Sequence, residues 1–273
     1  MKVIIPMAGL GTRFAKLSDQ NPEYKKPKPL INVKGLPMVR WATGSLPFVE
    51  HPGQKVEGSL KVSMQDLVFV ILKKHNQEFL LEQKLKEIYR DKINIVELEE
   101  VTRGAAETAY MAKSFMNLDE DVLFSDSDHY FDGKILEDLI LNKGPETAGI
   151  IPVFEAVNDG VAKWSYSLTK PGSNVIEKVA EKDPELMNKG AYANIGAYYF
   201  SKAKYFLDEV ESVMANNERF GEAGKGEFYI APLYQKLLDK GMVLQAAVLP
   251  EVWGLGTPAD LENFLQNCKV DKP

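Results

Sequence analysis

The sequence predicts an α/β fold: a doubly wound, mostly parallel sheet flanked by helices, with a small β-hairpin region in the second half. Three observations carry this. Short continuous apolar runs, such as residues 3–5 (VII) and 66–72 (DLVFVIL), suit strands covered on both faces, as parallel strands are. Segments with apolar residues at helical spacing lie between such runs. Strand and helix alternate through the first half, the order that lays helices on both sides of one sheet.

The elements follow in order. Residues 3–5 form a strand that runs straight into a glycine loop, and residues 66–72 form the next strand. In NQEFLLEQKLKEIYRD, Leu81, Leu85, Ile88 and Tyr89 share a helical face, with Asn76 as a side-chain cap. Residues 93–98 read as a strand, 105–116 as an alanine-rich helix, 121–125 (DVLFS) as a strand ending in DSDHYF, and 148–154 as a strand. WSYSLT and NVIEKVAEK flank Pro171-Gly172-Ser173, a turn signal that makes them a hairpin. A strand at 195–200, a helix at 203–216 and a helix at 227–240 follow, the last closed by Gly241 at its C′ position. A strand at 243–249 precedes Thr257-Pro258, a cap and first-turn proline for a final helix at 259–267. Residues 51–65 and 218–226 read as surface loops. With no repeat, low-complexity tract or linker, a single domain over 1–273 is expected.

Composition narrows the function classes. The 273 residues are 45% hydrophobic and 26% charged, enough for a sizeable core and unlike a disordered chain. No apolar run reaches the ~18 residues of a membrane span, and the VII strand is too short for a signal-peptide core. One cysteine, Cys268, leaves no disulfide framework and no cysteine-based metal site, so a reducing cytoplasm is expected. A net charge of −6 argues against nucleic acid as a partner. The charge is uneven, however. Arg13, Lys16, Lys25, Lys26, Lys28, Lys34 and Arg40 face only Asp19 and Glu23 between residues 13 and 40. Beside a candidate phosphate loop, that basic stretch suits a small polyanion.

The loop itself reads PMAGLGTRF. Gly9 and Gly11 begin a G-x-G pattern, but Phe14 stands where a dinucleotide fingerprint needs its third glycine. The Gly-Lys-Ser/Thr ending of a Walker A loop is also absent. A phosphate loop and a structural turn fit this stretch equally. Arg13 adds a fork of donors suited to phosphate. In KKPKPL, Pro27 and Pro29 bar a helix around Lys28 and are expected to hold the chain extended, presenting the ammonium from a stiff segment. Asp126-Ser127-Asp128 stands at a strand end, the usual ligand position in an open α/β sheet, and carboxylates there suit Mg²⁺. His51 and His75 read as surface residues and His129 as structural; no Ser-His-Asp or Cys-His set is present.

IPMAGLGTRF followed by PKPLINVKGLPM resembles the N-terminal signature of sugar-nucleotide pyrophosphorylases, the nucleotidyltransferases that join an NTP to a sugar 1-phosphate. TRGAAETAYMAK, FSDSDHYF, EKVAEK with AYANIGAYYF, and GEFYIAPLYQ with VWGLGTPADLENF are similar to later family segments, the last two to a branch associated with capsule or surface polysaccharide. The resemblance implies a Rossmann-like fold of the nucleotide-diphospho-sugar transferase type, a nucleotide-binding half at 1–130 and an acceptor half at 131–273. It implies nucleotide contacts at Ala8, Gly9, Gly11, Thr12, Arg13, Gly104 and Ser127, and catalytic roles for Arg13, Lys28 and Lys182. Asp128 is the implied metal aspartate for Mg²⁺, with Asp126 where relatives often carry Asn. Glu181, Lys182 and Asn194 are the implied acceptor contacts, with Lys178 as the fallback lysine. Glu227 and Tyr229 either line the acceptor side or start a helix. The implied partners are an NTP (dTTP, UTP or CTP) and a sugar 1-phosphate or similar phosphomonoester, with room for a homo-oligomer.

One departure stands out. Gly254 in WGLGT replaces the family's second metal aspartate, so Asp126 is expected either to compensate or to leave the ion to phosphate and water. Three other functions stay open at this point. A cytidylyltransferase of phosphorylated alcohols or amino compounds would share the loop, and a D-x-D glycosyltransferase would share the aspartates. An inactive nucleotide-sugar-binding subunit would account for Gly254.

Overall fold

The computed structural model describes residues 1–56, 58–221 and 226–273. The fold is mixed α/β and Rossmann-like, as the sequence predicts, and its chain gathers into two compact units. An N-terminal unit comprises Val3–Val101, Ser125–Lys134 and Glu251–Pro273. A central unit comprises Met1–Lys2, Thr102–Phe124 and Ile135–Pro250.

In the N-terminal unit the strands Lys2–Pro6, Leu67–Leu72 and Asn94–Leu98 run parallel, with Ile4 opposite Val68 and Val68 opposite Asn94. Leu67–Leu72 is buried throughout, which is why its sequence is apolar without alternation. A second core of Phe14, Ile31, Val33, Met38, Trp41, Leu255, Leu261, Phe264 and Cys268 draws together chain segments far apart in sequence. The Trp41 indole N–H donates to the Val33 carbonyl at 2.8 Å inside it. The expected single helix after residue 76 is two, Lys73–Phe79 and Leu81–Tyr89, broken at Leu80 in the left-handed region (φ 54°). Asn76, expected as the cap, lies within the first of them, and the N-cap of the second is Leu80; the Asn76 Oδ1 still accepts from the Glu82 N–H in the second helix's first turn, at 3.0 Å. His51 and His75, expected at the surface, are buried. Thr43, on helix Met38–Gly44, offers its carbonyl to His51 Nε2 at 3.3 Å. Thr257 caps helix Pro258–Asn267 as expected, accepting from the Asp260 N–H.

The central unit is built around strand Thr147–Phe154. It pairs antiparallel with Tyr192–Asn194 and Ala197–Phe200, and parallel with Val243–Val248. The expected hairpin is present as Ser165–Thr169 paired with Ile176–Glu181, and Ser165–Thr169 also pairs with Tyr192–Asn194. Antiparallel pairing thus extends beyond one hairpin here. Helix Ala203–Ala215 matches its expected span, whereas the helix expected over 105–116 ends at Tyr110 and continues as a 3-10 turn, Lys113–Phe115. The helix expected over 227–240 is only Ala231–Asp239, because Glu227 and Phe228 are used in backbone bonds to Phe220 and Arg103. Gly241 (φ 78°) ends it as expected. Of the loop expected over 218–226, residues 222–225 lie outside the described residues.

Candidate functional site

The glycine loop leaves strand Lys2–Pro6 with the Met7 N–H donating to the Val70 carbonyl at 3.0 Å. Ala8 is buried, while Gly9 and Leu10 are exposed. A Cβ on Gly9 would meet nothing within 4 Å, so its backbone faces open space. Gly11, at φ 64°, turns the chain into the short helix Thr12–Ala15. Phe14 is drawn into the core, which leaves Thr12 and Arg13 exposed. A Cβ on Gly11 would stand 3.8 Å from that of Lys28, so the loop and the Pro-Lys-Pro segment are neighbours. That segment is not extended, as expected, but a 3-10 turn, Lys28–Leu30. Proline's fixed φ suits a first helical turn as well as extended chain, and the Leu30 N–H closes the turn on the Pro27 carbonyl at 2.9 Å. Lys28 is presented from a stiff turn.

Strand Val122–Ser125 ends at the aspartate motif. Lys28 Nζ donates to Asp128 Oδ2 at 2.6 Å, an ion pair between residues one hundred apart in the chain. Burial favours a neutral Asp128, but the charge and hydrogen bond of Lys28, helped by Arg13, hold its carboxyl below the usual range. Asp126 goes the other way. Burial first, then the Asp128 charge, push it up to about 7 against the pull of Lys28. Two neighbouring carboxyls with opposed shifts are the ordinary result of one cation shared unequally. Ser127 is buried, and His129 is buried beside Ser125 Oγ (3.3 Å), with burial lowering it to about 4, in keeping with a structural role.

The C-terminal WGLGT segment closes this cluster. The Leu255 N–H donates to the Asp128 carbonyl at 2.8 Å. A Cβ on Gly256 would stand 2.5 Å from Asp128 Oδ2, so only glycine lets this backbone reach the carboxylate. Gly256 was not singled out by the sequence, although it is the glycine of the Gly-Thr pair in WGLGT. At Gly254 the situation differs. A Cβ there would make ordinary contact with the Asp260 carboxyl (3.6 Å to Cγ), so position 254 has room for a side chain and faces an acid. Among the described residues, no three His, Cys, Asp or Glu side chains form a cluster able to hold a metal.

The central unit carries the second group of expected residues. Gly104, at φ 145°, has no space for a side chain: a Cβ would stand 2.5 Å from the Phe228 nitrogen. Glu181 ends the strand Ile176–Glu181, with its side chain 6% exposed. Its carboxyl accepts from Ser165 Oγ, and burial raises its pKa over the lowering effects of Ser165 and Lys182. Lys182 leaves the strand in the left-handed region (φ 50°). Its Nζ donates to Tyr229 Oη at 3.1 Å and lies 3.9 Å from Glu181 Oε1. Lys178 is exposed on the strand and outside this group, so the structure sets Lys182 rather than the fallback lysine beside Glu181. Tyr229 does not start a helix, nor does Glu227, which bridges Phe220. Asn194 is buried, accepts from Ser167 Oγ at 2.7 Å, and has no partner for Nδ2 among the described residues. Ser165 and Ser167 escaped sequence reasoning, since serines alternating along a strand look like any polar face.

The N-terminal unit thus joins Gly11, Lys28, Asp128 and Gly256, with Arg13 close enough to act on Asp128, and the central unit joins Glu181, Lys182 and Tyr229. The first can hold a polyanion with a cation, the second an anionic ligand bearing hydroxyls. Comparison with known proteins gives this a family. The chain is similar in fold to the nucleoside-diphosphate-sugar pyrophosphorylase of Vibrio cholerae RC9, with a TM-score of 0.71 and 22% identity over 97% of this chain and 100% of that one. A protein from Bacillus anthracis, assigned as a glucose-1-phosphate thymidylyltransferase and crystallised with a sucrose, gives a TM-score of 0.69 and 18% identity over 100% and 98%. The inositol-1-phosphate CTP transferase of T. maritima gives 0.66 and 16% over 99% and 98%. No curated protein matches the chain by sequence. The family model described as nucleotidyl transferase matches residues 2–267, nearly the whole length, and the chain belongs to that family of nucleotidyltransferase enzymes.

Proposed function

We propose that the protein condenses an NTP with a sugar 1-phosphate, giving an NDP-sugar and pyrophosphate. The observation that carries this reading is the Lys28–Asp128 pair, held at 2.6 Å between the glycine loop and Gly256. A cation and an ionised carboxylate fixed beside an open, glycine-lined backbone suit a triphosphate with its counter-ion. The donor set fits Mg²⁺ held by one protein carboxylate, Asp128, since that ion takes one or two carboxylates and completes its shell with phosphate oxygens and water. When bound, the ion would neutralise phosphate charge.

A phosphomonoester is already anionic near neutral pH, so its oxygen can attack the α-phosphorus in line without a general base. The α–β bond breaks and pyrophosphate departs with the electron pair. The chain's own task is then positioning and charge neutralisation. Arg13 and Lys28 grip the triphosphate, and Ala8, Gly9, Gly11, Thr12, Gly104 and Ser127 flank the nucleotide. Lys182 holds the acceptor phosphate, and Glu181 and Asn194 meet its hydroxyls. The resemblance to a polysaccharide-associated branch points to precursors of a surface glycan, made in the cytoplasm. No helix among the described residues is long and apolar enough to cross a membrane.

Pyrophosphate release measured with dTTP, UTP, CTP, ATP and GTP, each crossed with glucose 1-phosphate, inositol 1-phosphate and phosphocholine in the presence of Mg²⁺, tests the reading. Release with an NTP and glucose 1-phosphate is expected. Release only with CTP and phosphocholine would replace it by the cytidylyltransferase.

A further inference from the structure

Ser165–Thr169 lies between two partner strands, and its register sorts the side chains by face. Glu181 is opposite Ser165, and Tyr192 is opposite Ser167. Side chains alternate along a strand, so Ser165, Ser167, Glu181 and Asn194 all occupy the same face. They form two adjoining dyads there. Ser165 Oγ donates to Glu181 Oε2, and Ser167 Oγ donates to Asn194 Oδ1 at 2.7 Å. Glu181 and Asn194 are 6% and 4% exposed, respectively, and Ser167 is fully buried.

A buried amide with one end bonded and the other bare is costly, so it calls for a partner from outside the chain, such as a water, an ion or a ligand. The Asn194 amide has that form: Ser167 fixes the carbonyl end, leaving Nδ2 as an unpartnered donor. Glu181 has the complementary form. Ser165 takes Oε2, and Oε1 is left toward Lys182 Nζ at 3.9 Å, beyond hydrogen-bond length. A fixed donor and a fixed acceptor, side by side, match a hydroxyl-bearing ligand, because each hydroxyl both accepts and donates.

We infer that Ser165 and Ser167 are positioning residues for the acceptor ligand, Ser165 orienting the Glu181 carboxyl and Ser167 orienting the Asn194 amide. The inference rests on the proposed acceptor role of this face. Neither serine touches the ligand. Each removes one rotational choice from a side chain that does, so the geometry is set before the ligand arrives. The groups acting electrostatically on Glu181 are Lys182 and Glu227, and Ser165 is its only hydrogen-bond donor among the described residues.

Calorimetric titration of the full chain with two probes, glucose 1-phosphate and inorganic phosphate, tests this. Ser165→Ala, Ser167→Ala, Asn194→Ala, Lys182→Ala and the double variant Ser167→Ala/Asn194→Ala are compared. Each serine variant is expected to weaken glucose 1-phosphate about 3–10-fold, as loss of a hydrogen bond does, and to leave inorganic phosphate unchanged. Lys182→Ala should weaken both probes. The double variant should bind no worse than Asn194→Ala alone, because Ser167 acts through Asn194. Ser167→Cys, nearly the same volume, supplies the comparison if the alanine variant is poorly folded. Additive losses in the double variant, or serine variants that bind glucose 1-phosphate like wild type while Lys182→Ala weakens it, overturn the inference. A Lys182→Ala protein that binds both probes normally overturns the acceptor reading instead.

Discussion

The N-terminal and central units build their sites by different means. In the N-terminal unit, full charges from distant chain segments converge. Lys28 and Asp128 are one hundred residues apart, and Gly256 reaches the pair from near the other end of the chain. Loops carry these groups, and a hydrophobic cluster that includes Phe14, Ile31 and Leu255 fixes those loops. In the central unit, sheet register sets Ser165, Ser167, Glu181 and Asn194 on one face, and the charged side chains Glu181 and Lys182 are each bonded to a neutral hydroxyl, of Ser165 and Tyr229. A site of paired ions on loops is sensitive to the removal of a charge or to a sub-ångström intrusion. A site read out by register should tolerate single losses with small, graded effects.

Lys28→Ala should break the comparison most severely. It leaves Asp128 without its partner and, on the proposed reading, removes the cation from the developing charge. A kcat loss of about 10³-fold is expected in the pyrophosphate-release assay, with thermal unfolding shifted by only a few degrees because the pair is partly solvated. Turnover near wild type would remove Lys28 from the mechanism. Gly256→Ala should come next. The added methyl meets Asp128 Oδ2 at 2.5 Å and must displace it. A displacement of that order costs about 10²-fold in turnover, and Gly254→Ala, where the methyl has ordinary room, should cost far less. Equal effects at the two glycines would show that the close approach to Asp128 is not what matters.

The contrast also explains what could be read in the sequence. The N-terminal site was legible because its chemistry needs unusual residues: a G-x-G loop, a lysine between prolines, and aspartates at a strand end. Its local shape was less so, since proline serves an extended chain and a tight turn alike, and the Lys28 segment chose the turn. His51 and His75 look like any polar residue until packing buries them. The break at Leu80 has no glycine or proline to announce it. In the central unit, Glu181, Lys182 and Asn194 were reached through resemblance alone. The serines behind two of them were invisible, because register is a property of strand pairing and not of spacing along one strand.

The smallest expected effect is on stability and has opposite signs in the two units. His51 is lowered from 6.5 to about 3, chiefly by burial and then by the charge of Arg40, against the Thr43 carbonyl. Its unfolded form takes up a proton that the folded form refuses. Its contribution is therefore fully present above pH 6.5 and is lost as the pH falls toward 3, at up to ~1.4 kcal/mol per pH unit. Glu181 has its pKa raised above its ordinary 4.5, by burial first. Its contribution is present below pH 4.5 and is lost as the pH rises through the folded value. Denaturant unfolding between pH 4 and 7 should thus show His51→Gln flattening the acid-side loss of stability and Glu181→Gln steepening it. Variants that shift the curve in the same direction would mean that the two buried groups do not carry the opposite burdens that their surroundings assign them.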